Sequence, residues 1–327
     1  MNETTATRER LLFHLRENKG DWVSGEGLSD RLSVTRSAVW KHIRKLREEG
    51  YLIESSPKRG YRLQKASQML LPQEIREGLE TEVFGRGEIF HFTEIDSTNR
   101  KAGELAARGA PEGTLVISEA QSRGRGRMGR EWFSPPGKGI YASLILRPPI
   151  APSEAPGITL LTAVAVTDSL AALTRLKPAI KWPNDILIGG KKVAGILTEI
   201  RMEMDAVDYM VVGLGLNVNV KSFPDPIRET ATSISRETGG VFSRVALLRE
   251  YLRHFEDHYN AFRRGGLHGI LKRWRKLSDT IGRRIRVVTL GGEYVGKAED
   301  IDREGFLILK DGSGPPRRIF SGDVMYL

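Results

Sequence analysis

Three short stretches of this chain combine residue types that could do chemistry. The first is GRGRMGR, residues 124–130, where Arg125, Arg127 and Arg130 alternate with Gly124, Gly126 and Gly129. Glycine lets a backbone turn tightly and approach a ligand closely. Each guanidinium is a planar fork of donors matched to phosphate or carboxylate, and such charge-assisted contacts contribute roughly 1.5–3 kcal/mol apiece. The loop can wrap a phosphate-bearing ligand and be mobile until that ligand arrives. As an arginine–glycine surface loop it would instead touch RNA without specificity. Its glycine spacing also matches the dinucleotide fingerprint, which needs a helix opening within it. Here REWFSPPGKG follows, with two prolines and two glycines, so that fingerprint is rejected.

The second stretch is KWPNDILIGGKKVAGILTE, residues 181–199. Gly189-Gly190 reads as a two-residue hairpin turn, which pairs Leu187 with Lys192 and Asp185 with Ala194. Asp185 and Lys192 then share a face diagonally, roughly 7–8 Å apart at the backbone. They either flank a small ligand or form a surface ion pair worth about 0–1 kcal/mol. Trp182 and Pro183 put an aromatic and a bend before Asp185, and Ala194-Gly195 leave room for a ligand. The third is DSTN, Asp96 to Asn99, whose side chains fit a helix cap or a polar ligand head equally well. GLGLNVN, Gly213 to Asn219, ends an apolar strand in small residues and two amides, a pattern of close backbone packing. His254 and His258 stand at i, i+4, but HFEDH has its Glu in the wrong place for a zinc protease, so no metal site is expected there. No Ser-His-Asp order stands out.

The elements that must position these residues fall into three segments of an α+β chain: residues 1–66, 67–278 and 279–327. In the first, Leu11, Leu12 and Leu15 mark one helix face, Ser24 can cap GEGLSDRL, and Val39, Ile43 and Leu46 recur along RSAVWKHIRKLREEG. YLIESSPKRGYRL is then a hairpin, which completes a winged helix-turn-helix. The outward face of its third helix carries Arg36, Ser37, Trp40, Lys41 and Arg44, with Lys58 at the hairpin tip, a surface for phosphates and base edges. A winged helix that binds protein would have the same outline. In the second segment, EIFHFTEI, TLVISEA, GIYASLILRP, AIKWPNDILI, KKVAGILTEI and DYMVVGLGLNV read as strands. GITLLTAVAVTDSLAALTRL reads as a buried helix, and FSRVALLREYLRHFEDHYNAFRR, opening at Ser243, as an amphipathic one. LHGILKRWRKL is a further helix. Strands and helices do not alternate strictly, which excludes a doubly wound sheet. RIRVVT, EYVGKAEDI, GFLILK and RRIFSGDVMYL, punctuated by glycine turns, suggest a small SH3-like β-barrel in the third segment.

The 327 residues carry a formal charge of +10, which points to an anionic partner. Cysteine is absent, which excludes disulfides, thiolate catalysis and Cys-ligated zinc. No stretch has the roughly 18 continuous apolar residues of a membrane span, and MNETTATRERLLFHL lacks an apolar leader core. A cytoplasmic protein without membrane contact is expected.

With DSTN, GRGRMGREW, KWPND, KKVAGIL and GLGLNVN in that order, the whole chain resembles the biotin protein ligases, and its winged helix resembles the type that also represses the biotin operon. The resemblance implies a class II synthetase-like central domain of mixed sheet and helices. It implies that biotin and ATP, with Mg²⁺, form biotinyl-5′-AMP, from which biotin passes to one lysine of the biotin carboxyl carrier protein of acetyl-CoA carboxylase. By motif, Ser97, Thr98, Asn99 and Gln121 would bind the ureido head. Arg125, Gly126 and Arg127 would hold the adenylate phosphate and biotin carboxylate. Lys192 would contact carboxylate and α-phosphate, and Asp185 would orient or deprotonate the acceptor lysine. Trp132, Asn217 and Asn219 would help build the nucleotide site. Met128 stands where some relatives have a basic residue, and the end VMYL lacks the late basic residue of others. An adenylate-bound homodimer on a palindromic operator is implied as well. A metabolite-sensing regulator without catalysis, and a lipoyl-protein ligase, are the competing readings. Intact Lys192 and Asp185 weigh against the first, and GRGR with KWPND against the second.

Overall fold

The computed structural model describes residues 3–327 other than 19 and 313, in two compact units that divide at Glu77/Gly78. The first unit runs α1 (Glu3–Glu17), α2 (Gly25–Leu32), α3 (Arg36–Glu48), β1 (Leu52–Ser56), β2 (Gly60–Lys65) and α4 (Pro72–Arg76). Ser24 Oγ accepts from Gly27 N at 2.9 Å and Thr35 Oγ1 from Ala38 N at 3.2 Å, so both helices of the turn are capped. Such caps each contribute about 1 kcal/mol. Gly50, with φ of +86°, turns the chain out of α3. Leu11, Leu12, Leu15, Leu28, Val39, Ile43 and Leu46 are buried in one core, which is the face the apolar spacing marks. β1 and β2 pair antiparallel, and Val23 exchanges backbone bonds of 2.8 Å with Tyr61 in a single bridge beside β2. The hydroxyl of Tyr51 and the guanidinium of Arg16 both reach the buried carboxylate of Glu74, which fastens α4 to this unit.

The second unit is built on a seven-stranded mixed sheet in the order β3-β4-β5-β9-β8-β7-β6. Its elements are β3 (Ile89–Phe92), α5 (Thr98–Ala107), β4 (Leu115–Ser118), β5 (Gly139–Leu146), α6 (Ala155–Leu173), β6 (Ala179–Lys181), β7 (Asp185–Ile188), β8 (Lys191–Glu203) and β9 (Ala206–Asn217). Only β3 and β4 run parallel, because α5 carries the chain between them. After the sheet come α7 (Ile234–Thr238), α8 (Arg244–Gly265) and α9 (His268–Leu277). Ser243 caps α8, as its position implies. By length and composition the segment Pro152–Leu173 is apolar enough to cross a membrane, but it is largely buried, with α6 packed on α8, α9 and β8.

One strand assignment changes. AIKWPNDILI is not one strand: β6 and β7 pair with each other antiparallel, with Lys181 opposite Asp185 and a cis peptide at Trp182–Pro183 in the turn. RRIFSGDVMYL holds two strands, which gives the last segment five, within the four or five short strands its pattern suggests. The last segment forms β10 (Arg284–Thr289), β11 (Gly292–Ile301), β12 (Leu307–Lys310), β13 (Arg317–Ile319) and β14 (Asp323–Tyr326), in the antiparallel order β13-β12-β11-β10-β14. In a flat sheet those outer strands would lie about 19 Å apart, four strand spacings. Four residue steps join Ile319 to Asp323 and reach at most about 15 Å, so the sheet must curl towards closure. Trp182 docks it, with Nε1 donating to Gly305 O at 3.3 Å.

Candidate active site

The period of two in a strand decides what the central sheet presents. Val211, Gly213, Gly215 and Asn217 point to one face of β9, and the register places Ile145 and Ser143 of β5 beside the first two. Val211 and Ile145 are covered by Ala102 and Ala106 of α5. Beyond α5 the row turns to glycine, and there a cavity of about 410 Å³ opens. The glycines are required by close approach. A methyl on Gly213 would collide with the Asn99 amide, and one on Gly215 with the Trp132 indole. The packing read from GLGLNVN is therefore the floor of the cavity.

At the α5 end the wall is polar. Ser97 caps the helix, accepting from Arg100 N, so the capping reading of DSTN holds for that residue. Ser97, Thr98 and Asn99 also line the cavity, together with Gln121. Gln121 Oε1 accepts from Thr98 N at 2.8 Å and from Thr98 Oγ1 at 3.1 Å, and Ser143 Oγ lies 2.7 Å from Asn99 Oδ1. Asn99 Nδ2 donates to Glu199 at 2.9 Å, whose other oxygen pairs with Arg125 at 2.9 Å. A chain of amides and hydroxyls is thus held rigid, ready to exchange bonds with a polar head.

The other end is charged. Lys192 Nζ sits 2.6 Å from Asp185 Oδ1 and 5.4 Å from the Trp132 ring centroid. The expected facing of Asp185 and Ala194 is wrong by one residue. A bulge at Val193 makes Ile186 face Ala194 and Asp185 face Gly195, which leaves glycine, not alanine, on the cavity side. Residues 124–132 fold back on themselves, with Gly126 N bonding Arg130 O at 2.7 Å and Trp132 N bonding Gly124 O at 2.8 Å. Arg125, Gly126, Arg127 and Trp132 all line the cavity, as do Asp185, Lys192 and Asn217. Arg127 donates to Asn184 Oδ1 at 2.8 Å, and Arg130 pairs with Asp323 of β14. Burial pushes the Arg127 guanidinium and the Lys181 ammonium below their ordinary values, against the opposing fields of Asp185 and Asp323. Burial alone would raise the Asp323 carboxyl, but the Arg130 hydrogen bond and charge hold it lower than usual. Partly desolvated cations gain most from an incoming anion. Trp132 Nε1 and Asn217 Oδ1 are buried without a hydrogen-bond partner among the described residues, an arrangement that a ligand's polar atoms would relieve.

Two residues of the functional motifs lie away from the cavity. Trp182 is buried against the C-terminal sheet, and Asn219 is used in bonds to the Phe242 backbone. Ser143, Asn184, Lys181, Glu199 and the run Gly322–Tyr326 line or brace the cavity without having been singled out. Ser143 inside an apolar strand and Glu199 two residues after Leu197 were the available signals. Nothing local in VMYL marks it.

In the first unit, Arg36, Ser37, Trp40, Lys41 and Arg44 are all exposed on α3, and Lys58 is exposed at the β1–β2 tip. Trp40 is 50% exposed, with Arg44 stacked 5.1 Å from its ring, and Arg36 pairs with Glu26 at 2.7 Å. Arg59 beside the tip stacks 4.3 Å from Trp22. This is an exposed cationic and aromatic face.

Comparison with known proteins fits each part. The Biotin/lipoate A/B protein ligase family matches residues 91–217, the HTH domain family residues 7–62, and the Biotin protein ligase C terminal domain family residues 280–325. The chain is 44% identical to the bifunctional ligase/repressor BirA of Bacillus spizizenii over 97% of this chain and 98% of that protein. It is 32% identical to the Escherichia coli bifunctional ligase/repressor BirA over 89% of each. Among solved structures, the Aquifex aeolicus biotin protein ligase in complex with biotin and ATP superposes with a TM-score of 0.65 at 26% identity, covering 74% of this chain and 99% of that one. A polar wall, a glycine floor and an arginine loop on one sheet, in a chain that also carries a winged helix and is matched over 97% of its length, leave one assignment: the chain belongs to the bifunctional ligase/repressor family of biotin protein ligases.

Proposed function

We propose that the cavity joins biotin to AMP and hands the biotinyl group to a lysine of the biotin carboxyl carrier protein of acetyl-CoA carboxylase. The observation that carries this is the grading along one sheet face: amides and hydroxyls at Gly213, an indole over Gly215, then Lys192, Arg127 and Asp185. The ureido head of biotin, with two N–H donors and one carbonyl acceptor, suits Ser97, Thr98, Asn99 and Gln121. Its aliphatic arm runs beside Trp132, whose indole already packs on Gly215, which brings the carboxylate to Lys192. A carboxylate oxygen attacks the α-phosphorus and pyrophosphate leaves. Two anions meet in that step, and Arg125, Arg127 and Lys192 offset their repulsion. Mg²⁺ bound to the ATP phosphates would screen them further, and the carboxylate of Glu131 on that wall suits a hard cation. The acceptor amine then attacks the acyl carbon and AMP leaves, with Asp185 positioned to take the amine proton.

The three-segment division at 66 and 278 serves as the functional one: an operator-binding winged helix, the ligase domain, and a C-terminal domain that lends Asp323 and Tyr326 to the cavity rim. Adenylate-bound chains pair as homodimers on a palindromic operator, which links ligand to DNA by mass action. A cytoplasmic location brings ATP, carrier protein and operator together. Incubation with biotin, MgATP and the isolated carrier domain is expected to add one biotinyl group to that domain by intact mass. Lipoate in the same assay is expected to add nothing, and incorporation of lipoate instead would reverse the substrate assignment.

The α3 face supplies a second expected result. Lys41→Ala is expected to weaken binding to operator and non-operator DNA alike and to flatten the slope of log K against log salt by about one. Trp40→Ala is expected to reduce discrimination between the two by roughly 1–3 kcal/mol while leaving that slope unchanged. Fluorescence anisotropy across a salt series, with adenylate present, reads both.

A further inference from the structure

We propose that Asp168, His254 and His258 form a binding site for a zinc-class divalent cation in the helical layer. His254 and His258 stand one turn apart on α8, and Asp168 comes from α6, which packs against it. Ligand-capable atoms of all three lie within 4.8 Å of one another. A tetrahedral zinc centre with bonds of about 2.0–2.2 Å sets its ligand atoms roughly 3.3–3.6 Å apart, so side-chain adjustments alone can close this one. His258 Nε2 is already 3.0 Å from Asp168 Oδ2, and the two imidazole rings stack 6.2 Å apart at 18°. Two imidazoles and a carboxylate select borderline transition ions over magnesium or calcium, which take oxygen ligands. The motif HFEDH gave no such signal, because the third ligand arrives from another helix.

The surroundings support the site. Arg273 of α9 donates to Asp168 Oδ1 at 3.1 and 2.6 Å, which fixes the carboxylate and leaves Oδ2 turned to His258. Outer anchoring of this sort orients metal ligands. Glu250 Oε1 lies 3.1 Å from His254 Nε2, and Arg253, whose Nη2 is 2.9 Å from that same nitrogen, is also held by Glu250 and by Asp257 at 3.2 Å. Asp168, Glu250 and Asp257 thus outnumber Arg253 and Arg273, so with neutral imidazoles the cluster can accept a dication. The three ligand side chains are 12–21% exposed, sheltered yet open to entry. Thr159 of α6 bonds Thr198, whose neighbour Leu197 lines the cavity, so this layer backs the opposite face of the sheet. A bound ion would cross-link α6 to α8 and stabilise the fold by mass action, independently of the ligase reading.

The test uses the full chain, stripped with chelator and titrated with zinc chloride against a chromophoric competitor. The parent is expected to take up one zinc with a rise in its thermal midpoint. His258→Ala, His258→Gln (which keeps a hydrogen bond to Asp168) and Asp168→Asn are each expected to weaken uptake roughly tenfold or more and to abolish the midpoint rise. Biotin-dependent exchange without zinc is expected to stay at the parent level in the glutamine variant. Absent saturable uptake by the parent, or uptake unchanged in these variants, would overturn the site and leave an ion network only.

Discussion

Lys192→Gln is expected to lower biotin-dependent ATP–pyrophosphate exchange by roughly 10²–10³-fold, the scale on which a single preorganised charge stabiliser acts in a water-poor site. The reason is local charge. Lys192 Nζ lies 2.6 Å from Asp185 and 5.4 Å from the Trp132 ring centroid, on the stretch of cavity wall that Arg127 and Asp185 also line. Removing its charge leaves carboxylate and α-phosphate to repel each other, and it also frees the negative charge of Asp185 beside them. The loss is expected mainly in kcat, because the head-binding wall of Thr98, Asn99 and Gln121 is untouched and should keep biotin affinity within a few-fold. The fold should survive: the Lys192–Asp185 pair is part-exposed, with side chains 35% and 20% accessible, and such pairs contribute little to stability. Exchange of labelled pyrophosphate at saturating biotin, beside a thermal melt, separates the two effects. An exchange rate within threefold of the parent would remove Lys192 from the adenylation step.

The same residues show how far the sequence could be read. The winged helix was legible almost in full, because capping residues and apolar period are local signals, and Ser24, Val39, Ile43 and Leu46 behave as their spacing demands. Part of the cavity was legible by motif, since each motif sits at the end of a strand or helix that one sheet gathers, whereas Lys181, Asn184 and Gly322–Tyr326 were not singled out. Register was less so: the bulge at Val193 cannot be seen in KKVAGIL, and it decides whether alanine or glycine faces Asp185. The break of AIKWPNDILI into two paired strands was missed because apolar pattern alone does not distinguish one strand from a tight hairpin. Long-range partners were invisible for a simpler reason. Arg130 with Asp323, Trp182 with Gly305, and Asp168 with His258 are brought together only by topology, and no local pattern announces them.

Asp185→Asn is expected to part the two half-reactions: adenylate formation held within about tenfold, transfer to the carrier lysine down roughly 10²–10⁴-fold near neutral pH. Asparagine keeps the shape and an oxygen for Lys192, so the cation that serves adenylation stays in place. It cannot accept a proton. A free lysine is an ammonium at neutral pH, with an ordinary value of about 10.4, and must lose that proton before it attacks the acyl carbon. With a carboxylate beside it, ammonium and base arrive together and transfer varies little with pH. Without one, transfer relies on the small fraction of free amine, which grows about tenfold per pH unit below the lysine value. The gap between parent and variant should therefore narrow as pH rises from about 7 to about 9. Single-turnover transfer from preformed biotinyl-AMP to the carrier domain, followed across that range, measures it directly. A gap that stays constant would assign Asp185 to holding Lys192 and not to taking the proton, because a purely electrostatic partner imposes no dependence on how much amine is already free.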